Sequence, residues 1–110
     1  MKLRIEDDTL RLRLSAPEVR EFAETGRVAA VVHFGAGPQQ QLTYALERDA
    51  RPQAAAVWAR YEAGGLTVLV PAATADAWTT TEQNGFASNL PVAGVPALRI
   101  LVEKDLDCRH

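Results

Sequence analysis

The sequence predicts an α+β fold built from two similar strand–strand–helix–strand–strand units, which form a curved antiparallel sheet with two helices. Three observations predict this fold. Short segments alternate apolar and polar residues with a period of two, the pattern of strands that bury one face. Each half has one segment of helical spacing between two pairs of such strands. A gap-free shift of 56 residues also places "LTYALERD" at 42–49 on "LRILVEKD" at 98–105.

The repeat covers the whole chain, with units at 1–53 and 57–109 inside a single domain of residues 1–110. Two units packed about a pseudo-twofold axis would bury both apolar sheet faces and both helices. Closure into a barrel would also remove exposed strand edges, but the sequence leaves both the closed and the open sheet possible. The aligned pairs include Arg4/Arg60, Glu6/Glu62, Leu10/Leu66, Phe22/Trp78, Glu47/Glu103 and Asp49/Asp105.

The first unit begins with two strands, "MKLRIE" and "TLRLRL", joined by a short turn at Asp7 and Asp8. A helix follows, because Ser15 can act as N-cap, Pro17 fits the first turn and Glu18 completes a capping box. Gly26 supplies the left-handed residue that ends a helix. The segments "RVAAVVHF" and "QLTYALER" then read as two strands around the loop "GAGPQ".

The second unit follows the same order. "AAAVWARYE" turns at the glycine pair 64–65 into "LTVLV", and a short helix around "AATADAWTT" places Trp78 inward. Asn84 and Gly85 either end this helix or form a turn. "FASNL" is a weak strand, "PVAGVP" a loop and "ALRILVEK" a clear last strand.

Composition limits the function classes. The chain is 47% hydrophobic and 24% charged, as in ordinary globular proteins. A net charge of −2 argues against nucleic-acid binding, which usually leaves a basic footprint. The N-terminal segment alternates charged and apolar residues and is no signal peptide, and no apolar run approaches the roughly 20 residues of a membrane span. A single cysteine, Cys108, suits a reducing cytoplasm, so we expect a cytoplasmic protein without a membrane contact.

Both ends of the chain resemble an uncharacterised family of small bacterial proteins. The resemblance rests on "MKLRIEDDTLRLRL", similar to a family strand pair of the form "IRI…IRLRL", and on "LRILVEKDLDC", similar to a closing "LVEKDF.C". It extends through the first helix and so covers effectively the whole domain. It implies no known activity, no cofactor and no assigned site.

The strongest candidate site is the cationic first hairpin. A two-residue turn at 7–8 places Arg4 opposite Arg11 and Lys2 opposite Arg13, and like charges across a strand pair repel unless an anion lies nearby. Arg11 and Arg13 become Thr67 and Leu69 in the second unit. We therefore predict that Lys2, Arg11 and Arg13, with His33 as a weaker candidate, bind a phosphate or carboxylate.

A structural explanation of these charges competes with the ligand. Acids of the chain itself, on the helix at 18–24 or at Glu47, could neutralise the arginines. Arg4 and Glu47 recur together as Arg60 and Glu103, which predicts the same structural ion pair in each half.

Other candidate chemistry is weak. His33 ends an apolar strand and is more typical of a half-exposed residue than of a catalytic base. Cys108 and His110 are only two metal ligands, and zinc needs three or four. "GAGPQQ" lacks the Lys-Ser/Thr and the helix of a phosphate loop. The sequence therefore predicts no catalytic residues, no cofactor and no metal site.

These observations favour a non-enzymatic module that binds a protein partner or a small anion. The alternative is a small hydrolase or isomerase with a pocket at the pseudo-twofold interface, where His33, Tyr44 and either Glu47 or Glu103 would converge. A third hypothesis is a homo-oligomer whose strand edges pair between chains.

Overall fold

The structure, a computed structural model, describes residues 1–105. Cys108 and His110, considered above as metal ligands, lie outside these residues. Within the described part the chain forms eight strands and two α-helices, and the predicted α+β class is confirmed. The elements are β1 Lys2–Glu6, β2 Thr9–Leu14, α1 Ala16–Thr25, β3 Arg27–His33, β4 Gln41–Asp49, β5 Trp58–Glu62, β6 Gly65–Pro71, α2 Ala72–Thr80, β7 Gly85–Val92 and β8 Val95–Lys104.

The strands of residues 1–105 form two separate four-stranded sheets and do not close into a barrel. The first sheet has the order β1-β2-β8-β7 and the second the order β3-β4-β6-β5. Each sheet therefore combines one hairpin from each half of the chain. The expected antiparallel arrangement holds for four of the six pairings, whereas the central pairs β2–β8 and β4–β6 are parallel. Alternation could not reveal this, because it fixes which side chains share a face but not the direction of the neighbouring strand.

The central strand pairs of the two sheets have equivalent registers. Thr9 pairs with Arg99 in the first sheet, and the residues 56 positions away, Gly65 and Thr43, pair in the second. The two-residue turns also correspond, since Asp7 and Ala63 both have positive φ, at 49° and 51°. The hairpins β3–β4 and β7–β8 differ from each other by a two-residue slip in register.

Side-chain hydrogen bonds join the two sheets at equivalent places. The carbonyl of Met1, just before β1, accepts a bond of 2.9 Å from the Tyr44 hydroxyl on β4. The carbonyl of Val57, just before β5, accepts a bond of 3.2 Å from Ser88 on β7. Each half thus fastens the start of its first strand to the opposite sheet.

The helices complete the core between the sheets. Ser15 and Glu18 form the predicted capping box, and Gly26 ends α1 with φ 81°. Trp78 on α2 is fully buried and meets Phe22 and Phe86 edge to face, at centroid distances of 5.9 and 5.5 Å. One apolar cluster contains residues of both sheets and both helices: Leu12, Leu14, Val19, Phe22, Val28, Leu46, Val57, Val68, Val70, Ala75, Trp78, Ile100 and Val102. No helix in residues 1–105 is long and apolar enough to cross a membrane.

Candidate functional site

The cationic hairpin forms one cavity on the outer face of the first sheet. Lys2 lies opposite Arg13 and Arg4 opposite Arg11, the register expected from a two-residue turn. The alternating Leu10, Leu12 and Leu14 of β2 are buried, so the four cations must point to the other face. They line a cavity of about 210 Å³, named here the hairpin pocket: Lys2, Arg4, Arg11 and Arg13.

Two carboxylates from the end of the described chain reach the hairpin pocket. The parallel pairing of β2 with β8 sets Glu103 beside Arg13. Glu103 Oε1 accepts a hydrogen bond of 2.5 Å from Arg11 Nε and lies 3.7 Å from Arg13 Nε. Lys2 Nζ donates to Asp105 Oδ2 at 2.9 Å. The hydrogen bond from Arg11 lowers the pKa of Glu103 despite its partial burial, so the carboxylate is ionised at neutral pH.

The pocket nevertheless keeps an excess of positive charge. Among residues 1–105, four cations face two carboxylates, which leaves two positive charges. Arg4 is exposed and has no ion pair or hydrogen bond within residues 1–105. The next row of the sheet adds one acid, Glu6, whose charge also acts on Arg11, and one cation, Arg99, so the excess is unchanged. An anion placed in the pocket therefore meets donors that residues 1–105 leave unused.

The second sheet has the same strand arrangement, but on its outer face the positions equivalent to Lys2, Arg11 and Arg13 are covered. Trp58 stands at the position of Lys2, and its Nε1 donates to Asp49 Oδ2 at 2.9 Å, just as Lys2 donates to Asp105. Arg51 lies over the Trp58 ring, 5.0 Å from its centroid, and its Nη2 donates to the same carboxylate at 2.7 Å. These bonds from Arg51 and Trp58 hold the pKa of Asp49 far below its ordinary value. Thr67 and Leu69 take the positions of Arg11 and Arg13 and are buried.

The exposures of the corresponding side chains show the contrast directly. Arg11 and Arg13 keep 30% and 40% of their side-chain surface accessible. Leu69, the counterpart of Arg13, keeps 5% of its surface. The position that the buried Leu69 occupies in the second sheet is thus occupied in the first sheet by Arg13, whose guanidinium is accessible.

The residues proposed for a hydrolase do not converge. His33 is exposed at the end of β3, opposite Gln41. Tyr44 belongs to the other face of the sheet, with its hydroxyl donating to Met1. Glu47 is six residues further along β4 than Gln41, a separation of about 20 Å. Glu103 lies in the first sheet.

The structural ion pairs also differ from the predicted ones. Arg4 and Glu47 lie in different sheets, as do Arg60 and Glu103, because each half divides its strands between the two sheets. Glu47 instead pairs with Arg27 across β3–β4, at 3.2 Å. Arg60 pairs with Glu62 at 3.3 Å. Glu103 pairs with Arg11 and Arg13. The two recurring glutamates, Glu47 and Glu103, therefore do pair with arginines, but these arginines lie on the neighbouring strands.

Exposed aromatic side chains form a separate surface at one end of the second sheet. Phe34 and Tyr61 keep 73% and 71% of their surface accessible and border a cavity of about 540 Å³. Three glutamines, at 39–41, provide most of its polar lining. None of the described residues that line this cavity is charged, so their side chains do not select one chemical class of ligand. Within residues 1–105 no group of three or more His, Cys, Asp or Glu side chains could hold a metal ion.

Comparison with known proteins places the chain in a family and goes no further. Residues 1–110 match the model described as "Family of unknown function (DUF7009)", and the chain belongs to this family. The expected membership of a family without a known activity is thereby confirmed. No curated protein and no solved structure matches the chain. Its function must therefore be argued from its own geometry.

Proposed function

We propose that this member of a family without an assigned activity is a binding module that holds a small anion in the hairpin pocket. The observation that carries the proposal is Arg4, which has no partner within residues 1–105, beside three further cations in one cavity of about 210 Å³. Guanidinium groups donate in a planar fork that matches the oxygens of phosphate and carboxylate. The excess of two positive charges suits a dianion such as a phosphate monoester.

The cross-strand arrangement supports the same conclusion. Arg4 lies directly opposite Arg11, and Lys2 opposite Arg13. Like charges in directly opposed positions destabilise a strand pair. The equivalent positions of the second sheet pair Arg60 with Thr67 and Trp58 with Leu69 and avoid this cost. A bound anion offsets the repulsion and so stabilises the first hairpin. In the second sheet, apolar side chains at the equivalent positions stabilise the strand pair instead.

The proposal is tested by titrating the protein with inorganic phosphate and with phosphate monoesters at low salt. At a ligand concentration of about 100 times the dissociation constant, binding stabilises the fold by about 2.7 kcal/mol, a rise in melting temperature of roughly 10 °C. The rise should shrink as salt is added, because exposed charges are screened over about 10 Å at 0.1 M salt.

The informative variant is Arg4→Gln, because Arg4 has no partner within residues 1–105 that its removal would leave unpaired. We expect it to weaken phosphate binding about tenfold, the value of one charge-assisted hydrogen bond. Arg60→Gln is the matched control, since Arg60 holds the equivalent position in the second sheet. Replacing Arg11 and Arg13 together is less clean, because Glu103 would lose both of its cations.

Two outcomes would refute the proposal. One is the absence of any thermal shift or binding heat with all anions tested. The other is an equal loss of affinity in Arg4→Gln and Arg60→Gln, which would reveal a response to net charge and not to the pocket.

A further inference from the structure

A second cavity adjoins the hairpin pocket on the same sheet face. It measures about 340 Å³ and is lined by residues of β7 and β8: Asn84, Gly85, Phe86, Ala87, Leu101 and Glu103. The register places Gly85 beside Glu103 and Ala87 beside Leu101. Leu101 in turn is the neighbour of Arg11. One row of the sheet therefore runs Arg4, Arg11, Leu101, Ala87, from cationic to apolar within four strands.

The floor of this second cavity is low at Gly85 and Ala87, where the side chains are absent or small. Gly85 could not carry a side chain, since a Cβ there would stand 2.4 Å from the carbonyl oxygen of Val102. Ala87 is exposed and Leu101 half-buried, so both present apolar atoms to the cavity. Neighbouring strands are about 4.8 Å apart, so the step from Arg11 to Ala87 spans about 10 Å. That is the length of a small ring attached to a phosphate.

Glu103 stands between the two cavities. Its carboxylate contributes to the lining of the second cavity while Oε1 is bonded to Arg11 of the first. A negatively charged group above Gly85 would meet this carboxylate, and like charges at short range repel. Above Leu101 and Ala87 a charged group would lie over apolar atoms, between the opposite charges of Glu103 and Arg99, and would lose water without gaining a hydrogen-bond partner. The part of a ligand that extends over β8 and β7 therefore binds best when it is neutral.

From this arrangement we infer that the ligand is a phosphate monoester with a compact, uncharged, apolar body. The dianion occupies the hairpin pocket, and the body lies across Leu101 and Ala87. This inference rests on the proposed function and adds the class of ligand. Burial of roughly 60 Å² of apolar surface by the body is worth a factor of about ten in affinity over inorganic phosphate.

Three probes measured by calorimetry test the inference: inorganic phosphate, phenyl phosphate and 4-carboxyphenyl phosphate. In the wild type, phenyl phosphate should bind about tenfold more tightly than inorganic phosphate. The carboxylated probe should lose this advantage, because its carboxylate would have to give up water over the apolar floor at Leu101 and Ala87.

The matched variants are Ala87→Gln and Ala29→Gln. Ala87 is an exposed alanine on the edge strand of the first sheet, and Ala29 occupies the register-equivalent place on the edge strand of the second, opposite Ala45. Ala87→Gln fills the apolar floor with an uncharged side chain. It should abolish the preference for phenyl phosphate and leave the affinity for inorganic phosphate within about twofold. Ala29→Gln should change neither the preference for phenyl phosphate nor the affinity for inorganic phosphate. Without ligand, the two variants should have the same melting temperature.

The results separate this inference from the proposed function. If inorganic phosphate binds and phenyl phosphate binds no more tightly, the apolar body is refuted while the anion pocket stands. A preference for phenyl phosphate that survives Ala87→Gln also overturns the inference. If no probe binds, the proposed function fails and the inference fails with it.

Discussion

Replacement of Trp78 by phenylalanine tests the packing that unites the two sheets. Trp78 has no accessible surface, and its ring contacts Phe22 and Phe86 edge to face. Phe22 is its counterpart in the first half, so Trp78→Phe makes the two helices more alike while emptying part of the core. The indole Nε1 also donates to the carbonyl of Asn84 at 3.0 Å.

The expected loss in the free energy of unfolding is the sum of three contributions of similar size. Phenylalanine buries roughly 40 Å² less apolar surface than tryptophan, about 1 kcal/mol. The vacated space of roughly 40 Å³ adds about 1 kcal/mol if the core does not collapse. The lost hydrogen bond contributes about 1 kcal/mol and no more, because the Asn84 carbonyl also accepts from the Lys104 amide at 2.8 Å and stays satisfied. The variant should be about 3 kcal/mol less stable, with a melting temperature about 12 °C lower.

Urea unfolding followed by far-ultraviolet circular dichroism measures this loss without relying on the removed fluorophore. The slope of free energy against urea should not change, since the same surface is exposed on unfolding. Tyr61→Phe serves as control because Tyr61 is 71% exposed, and it should stay within about 0.5 kcal/mol of the wild type. A Trp78→Phe loss below about 1 kcal/mol would contradict the close packing of this ring between the sheets.

The remaining predictions concern pH and backbone conformation. The pKa of Asp49 is lowered by hydrogen bonds from Arg51 and Trp58, so its contribution to stability is complete above its ordinary value of 3.8 and is lost as the pH falls below that value. Asp49→Asn should therefore be less stable at neutral pH and lose less stability on acidification; parallel curves in urea titrations down to about pH 2 would refute this. Gly26→Ala should cost at least about 1 kcal/mol, since φ there is 81° and the nearest atom to a new Cβ, at 3.6 Å, leaves room. Gly37→Ala, at φ −84° and with nothing within 4 Å, should cost nothing, and equal melting temperatures of the two variants would contradict the strain argument.

Local patterns in the sequence predicted the elements well because their causes are local. Alternation identified the strands of each hairpin, and "TLRLRL" buries the three leucines that its period of two indicates. Ser15 with Glu18 located the start of α1, and Gly26 its end. The shift of 56 residues indicated two like units, and the central pairs β2–β8 and β4–β6 do have equivalent registers, whereas β3–β4 and β7–β8 differ by two residues.

The sequence could not reveal that each sheet combines one hairpin from the first half of the chain with one from the second half. Each strand needs a neighbour, but nothing in a single strand states whether the neighbour lies in its own half of the chain or in the other. The predicted ion pairs failed for this reason, since they placed Arg4 beside Glu47 and Arg60 beside Glu103.

The candidate site was predicted in part. The four cations follow from the turn at Asp7 and Asp8, which is local. The acid that neutralises Arg11 is 92 residues away, and its approach depends on the parallel pair β2–β8. The adjoining apolar floor on β7 has the same non-local origin. Sequence reasoning therefore located Lys2, Arg11 and Arg13, but it assigned Arg4 to an ion pair with Glu47 and added His33, which lies in the second sheet. It also missed the groups that shape the surroundings of the pocket.

The central parallel pairs have a consequence for the order in which the molecule assembles. In the second sheet the pair begins with Thr43 and Gly65, 22 residues apart, whereas in the first sheet it begins with Thr9 and Arg99, 90 residues apart. Closing the longer loop costs about 1.3 kcal/mol more chain entropy. We expect the second sheet to form early and the first sheet to form last, once β8 has left the ribosome. The face that carries the hairpin pocket is then completed only after β8 has been synthesised, and amide exchange should find it the first part of the fold to open.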